Sequence, residues 1–112
     1  MIDIQATYHQ EKNNSKLVEL PPGFFDQADQ ALHEMQSEEL DGEFGSEIKA
    51  QNIQSSSRAL ELLSDLRLKK VLKGAIADAY RAKPEHGKDF FTSKELILYR
   101  NIVSGIKEIK GH

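Results

Sequence analysis

The chain has 112 residues, a net charge of −3, a hydrophobic share of 38% and no cysteine. That length gives about one domain, and the lack of cysteine excludes a disulfide framework, a thiolate metal site and a cysteine nucleophile. Charge is unevenly placed: residues 1–45 hold 10 acids and 2 bases, residues 46–88 hold 5 and 9, and residues 89–112 hold 3 and 4. Such asymmetry predicts self-pairing or an oriented interface. No apolar run approaches the roughly 20 residues that cross a bilayer, and Met1–Gln10 has neither the basic start nor the apolar block of a signal peptide. The reading is a soluble intracellular protein.

Residues 2–8 alternate apolar and polar, which fits a short strand or, equally, a short helix. Residues 11–15 read as a loop. Pro21-Pro22-Gly23 opens the first clear helix, predicted over about 22–40, where Phe25, Ala28, Leu32 and Met35 share a face. Asp41-Gly42 ends it. A long helix is predicted over about 46–82, and its apolar pattern changes sides. Ala59, Leu62, Leu63 and Leu66 share one face; Leu68, Val71, Leu72, Ala75, Ile76 and Ala79 share another. Such a helix meets one neighbour early and another late, or kinks at Gly74. The last helix, predicted over about 92–110, starts at the capping box Thr92-Ser93-Lys94-Glu95. The fold class is therefore all-α: a small helical bundle of three or four helices with one long central helix, in short-looped antiparallel order.

Little in the sequence suggests catalysis. Asp26, Asp29 and His33 fall at i, i+3 and i+7, but an exposed polar face explains them better than a metal site, which needs a fuller ligand set. No histidine stands near Ser55-Ser56-Ser57 to act as a base, and no glycine-rich loop precedes Lys-Ser or Lys-Thr. Glu61 and Asp65 at i, i+4 are a common surface arrangement. No catalytic, cofactor or metal residue is assigned. The notable charge feature is a basic stripe of Arg67, Lys70, Lys73 and Arg81 on the long helix. It reads as a solvated face or one neutralising the acidic N-terminal third; the other readings are an acidic protein partner and a helical nucleic-acid-binding module, although no aromatic residue is interleaved for stacking.

Three segments carry a resemblance. Leu20-Pro21-Pro22-Gly23-Phe24-Phe25 resembles the Leu-Pro-x-x-Phe-Tyr entry into the first long helix of the GINS replication factors. Leu66-Arg67-Leu68-Lys69-Lys70-Val71 is similar to their Leu-Arg-x-x-Lys-Ile segment, with Asn52 as a polar helix residue upstream. Thr92–Tyr99 looks like their capped acidic turn followed by Leu-Tyr. The order spans Leu17 to Ile109. Phe25 stands where the family has Tyr, so any hydroxyl contact there is lost. The resemblance implies a GINS helical domain of the archaeal, helical-domain-first type, with the C-terminal β-domain absent from this chain. It implies a non-enzymatic scaffold without a cofactor, cytoplasmic and nucleoid-associated (nuclear in a eukaryote). The implied partners are other GINS subunits in a homo- or hetero-tetramer, the MCM helicase and a RecJ-like replisome protein, with DNA contact at most indirect or weak and no membrane.

The last helix adds its own expectation. At 100° per residue, Leu96, Leu98, Tyr99, Ile102, Val103, Ile106 and Ile109 fill an arc about 160° wide, against roughly 100° for an ordinary surface helix. The excess predicts a partner interface on this helix, with Arg67 and Lys70 contributing from the long one. Lysine at an edge of the arc should dissociate the assembly, whereas lysine at Tyr99 or Ile106 should unfold the domain.

Overall fold

The computed structural model describes residues 2–37, 45–80 and 90–111. Four helices occupy them: α1 (Ile4–Lys12), α2 (Phe24–Ser37), α3 (Gly45–Ala79) and α4 (Ser93–Lys110), with no strand among the described residues. The all-α bundle around one long helix is as the periodicity predicts.

Local chemistry sets each start. Asp3 settles the ambiguous N-terminus as helix, because its carboxylate accepts the Ala6 N–H at 2.9 Å as an N-cap. Glu11 and Lys12, read as loop from the sequence, are the last turn of α1. At Pro21–Phe24, the Phe24 N–H donates to the Pro21 carbonyl at 3.1 Å and Gly23 has φ +70°. This matches a type II turn, whose third position favours glycine. The capping box of α4 is complete: Thr92 Oγ1 accepts the Glu95 N–H, and Glu95 Oε1 accepts the Thr92 N–H. Gly111 closes that helix at φ +79°.

α3 is continuous through Gly74 and is the spine of the molecule, which measures 64 × 23 × 20 Å. One buried ridge recurs every fourth position, through Ala59, Leu63, Arg67, Val71, Ala75 and Ala79, with Gly74 and Asp78 buried beside its later part. Each such step turns about 40° around the axis, so over its five steps the ridge winds gradually to the opposite side, and the predicted change of sides comes without a kink. Its early part, with Ala59 and Leu63, packs with Ile4, Phe24 and Ala28 of α1 and α2. Its later part, with Val71 and Ala75, packs around Tyr99 of α4, joined by Leu96, Leu98, Ile102 and Val103.

The antiparallel order predicted from the sequence does not hold for α1 or α4. Arg67 meets Glu95 and, further along both helices, Tyr80 meets Lys110. The pairings ascend together, so α4 runs parallel to α3. Ile4 beside the Ala59–Leu63 region and Glu11 beside Arg67 give α1 the same direction. The two anchoring carboxylates, Glu11 and Glu95, each reach the same arginine, which fixes both flanking helices in the direction of the spine.

Candidate functional site

The most organised polar feature lies at the middle of α3. Arg67 is 0% exposed, so it does not lie on a surface stripe as its spacing with Lys70 and Lys73 suggests. The reason is electrostatic and geometric: all five guanidinium N–H groups find acceptors. Nε donates to Glu95 Oε2 at 2.8 Å, and Nη2 donates to Glu95 Oε1 at 2.7 Å and the Phe90 carbonyl at 2.8 Å. Nη1 donates to Glu11 Oε1 and the Val18 carbonyl, both at 2.6 Å. Lys70 extends the cluster, donating to Glu11 Oε2 at 2.5 Å, the Glu11 carbonyl at 2.7 Å and the Lys16 carbonyl at 3.0 Å. Two cations thus face two carboxylates in a neutral set that ties α1, the 16–18 connection, α3, Phe90 and α4 together. Burial alone would pull the Arg67 pKa down, but the hydrogen bonds and charges of Glu95 and Glu11 outweigh it and hold it above its ordinary value.

The cluster reassigns the basic stripe. Arg67 and Lys70 direct their donors into the chain, Lys73 is exposed, and Arg81 lies outside the described residues. Arg67 and Lys70, expected from the sequence to contribute to a partner interface, thus make their hydrogen bonds inside the domain. On α4, Leu96, Leu98, Ile102 and Val103 pack against α3, Tyr99 is buried and Ile106 is half-buried. Ile109, at one edge of the predicted arc, is 89% exposed. Most of the arc is thus turned onto the spine.

Besides Ile97 and Ile109 of α4, exposed apolar residues gather on the spine. Leu68, Leu72, Ile76 and Tyr80 form a second every-fourth-residue ridge on α3, beside the buried one, and are between 36% and 64% exposed. Contiguous exposed apolar surface of this kind marks interaction sites. Lys110 Nζ stands 3.7 Å from the centre of the Tyr80 ring at the far end. The near end opens into a groove of about 560 Å³ walled by Phe25, Leu68, Val71, Lys94 and Leu98. Residues of Leu20–Phe25, Leu66–Val71 and Thr92–Tyr99, far apart in sequence, line this groove together.

A second buried contact supports α4. The Tyr99 hydroxyl donates to Asp78 Oδ2 at 2.6 Å, with both residues buried. Burial first, then the hydrogen bond and charge of Asp78, push the phenol from its ordinary 10.0 up to about 12. A raised folded-state pKa means this contribution is complete below pH 10 and is lost as pH rises from 10 through about 12. Tyr99→Phe should lower stability at neutral pH by about 1.5–3 kcal/mol, the range for a hydrogen bond to a charged group. It should also flatten the fall in stability over that alkaline window. Urea unfolding of both proteins at pH 8 and pH 11 measures this; parallel falls in the two would refute it.

The pattern Asp26, Asp29 and His33 is exposed along α2, and among the described residues no group of three or more His, Asp or Glu side chains could hold a metal ion. Ser64, on the groove wall, donates its hydroxyl to the Leu60 carbonyl of its own helix. No described helix is long and apolar enough to cross a membrane. No protein-family model, curated protein or solved structure matches this chain.

Proposed function

We propose that the chain is a scaffold subunit of the GINS type, which supports the replicative MCM helicase at the replication fork by assembling with other GINS subunits and by docking a RecJ-like partner. The observation that carries this reading is the exposed apolar ridge of α3, held on a spine whose flanking helices are locked by a neutral ion cluster. A scaffold needs a stiff element with a free apolar face, and the ridge supplies both. The convergence of the three GINS-like segments on one groove gives further support, since each contributes a wall of the same structural unit. The role is non-catalytic: the polar side chains at the centre of the domain serve to join helices.

Co-expression with a sister GINS subunit and the MCM ring of the same genome tests the proposal. The chain should co-elute with the sister subunit and raise duplex unwinding by the helicase. Leu72→Lys combined with Ile76→Lys should abolish both effects while leaving the helical circular dichroism intact. Association with neither partner would sink the reading.

A further inference from the structure

The outer face of α3 has a symmetry in its sequence. Outward from Arg67, Leu66 is mirrored by Leu68, Asp65 by Lys69, Leu62 by Leu72 and Glu61 by Lys73. Apolar residues mirror apolar residues, and each acid mirrors a base. With Arg67 at 0° on the wheel, Arg58, Leu62, Asp65, Lys69, Leu72 and Ile76 all fall between about 140° and 220°. This is the side opposite the buried cluster. Asp65, Lys69, Leu72 and Ile76 are exposed there and Leu62 is half-buried.

We infer that this face pairs with a second copy of the same chain, α3 against α3, antiparallel about a two-fold axis at the level of Arg67. The inference rests on the reading of this face as an assembly surface, and it names the first occupant. In a two-fold interface a patch must be complementary to itself. Antiparallel pairing centred on Arg67 sets Asp65 of each copy beside Lys69 of the other. Leu62 then meets Leu72 on either side, and the Arg58 stem covers Ile76 further out. A parallel pairing would instead set Asp65 on Asp65 and Lys69 on Lys69. Charge inversion about one point is therefore what selects a second copy and its direction. Among the described residues, α1 and α4 meet α3 on the Arg67 side, α2 packs with Ala59 and Leu63, and Asp65, Lys69, Leu72 and Ile76 stay exposed.

Charge exchange tests the pairing. Wild-type protein should sediment at twice the 12.7 kDa chain mass or a multiple of it. Asp65→Lys and Lys69→Asp each set like charges opposite one another twice, and each alone should weaken self-association on the order of 100-fold. An equimolar mixture of the two variants should restore the assembly, and so should the double variant D65K/K69D by itself. Circular dichroism should show the same helix content throughout, since both side chains are exposed. Single variants that assemble as the wild type does, or a double variant that stays apart, would overturn the inference. A monomeric wild type that still binds a sister subunit would overturn it and leave the scaffold reading standing. The full charge-exchange pattern without sister or helicase binding would establish the pairing and remove the scaffold reading.

Discussion

Arg67→Met should destabilise the domain by about 3–5 kcal/mol, the usual result of removing one partner from a buried charge pair. A domain of this size has on the order of 5–15 kcal/mol in total, so the variant stands near the limit of folding. The methionine fills much of the same space, and the loss therefore comes from what the arginine leaves behind. Among the described residues, Glu95 keeps the Thr92 N–H alone, and Glu11 keeps Lys70 and the Val18 N–H. The Val18 and Phe90 carbonyls lose the guanidinium donors. Arg67→Lys should recover little, because one ammonium carries three donors and cannot span two carboxylates and two carbonyls in a plane. Urea denaturation of the three proteins measures the order wild type, lysine, methionine. A methionine variant within about 1 kcal/mol of wild type would show the cluster to be dispensable.

The second large effect is apolar. Leu63 is fully buried between Ile4, Phe24, Ala28 and Ala59. Leu63→Ala should cost about 3–4 kcal/mol, within the range for a leucine truncated in a core. Two of its neighbours are alanines with no side chain able to swing into the space, so the cavity closes only if helices shift. Leu72→Ala, one ridge away and partly exposed, should change monomer stability by no more than about 0.5 kcal/mol. Midpoints of thermal unfolding, taken at protein concentrations too low for self-association, separate the two, and equal losses would mean the two ridges are not distinguished as described.

Much of this architecture is legible in the sequence, and what is not has identifiable causes. The starts of α2 and α4 follow from local chemistry: a Pro-Pro-Gly turn and a capping box involve residues three apart. The N-terminal alternation of Ile2, Ile4, Ala6 and Tyr8 is compatible with strand, and only the contact between Asp3 and the Ala6 N–H decides for helix. The buried ridge of α3 is obscured because one of its members is charged. A hydrophobicity wheel leaves out Arg67, and the remaining apolar residues then divide into two faces instead of one winding line. Its acceptors, Glu11 and Glu95, lie 56 and 28 residues away. Glu95 is visible in the sequence as a capping residue, which hides its second role. The parallel course of α4 is equally hidden, because periodicity reports which side of a helix is apolar and not which way its neighbour runs.

The position of Arg67 has a consequence for cooperativity. The domain has two separate apolar clusters, one before Arg67 on the spine and one after it. Joined by a helix alone, two such clusters would melt as independent units, each with its own free energy of opening. The arginine occupies the step between Leu63 and Val71 and holds α1 from the first cluster and α4 from the second through one planar group. Undocking either helix strands a buried charge that belongs to both. The two halves therefore unfold together, and amide exchange along the centre of α3 should proceed only through the global transition.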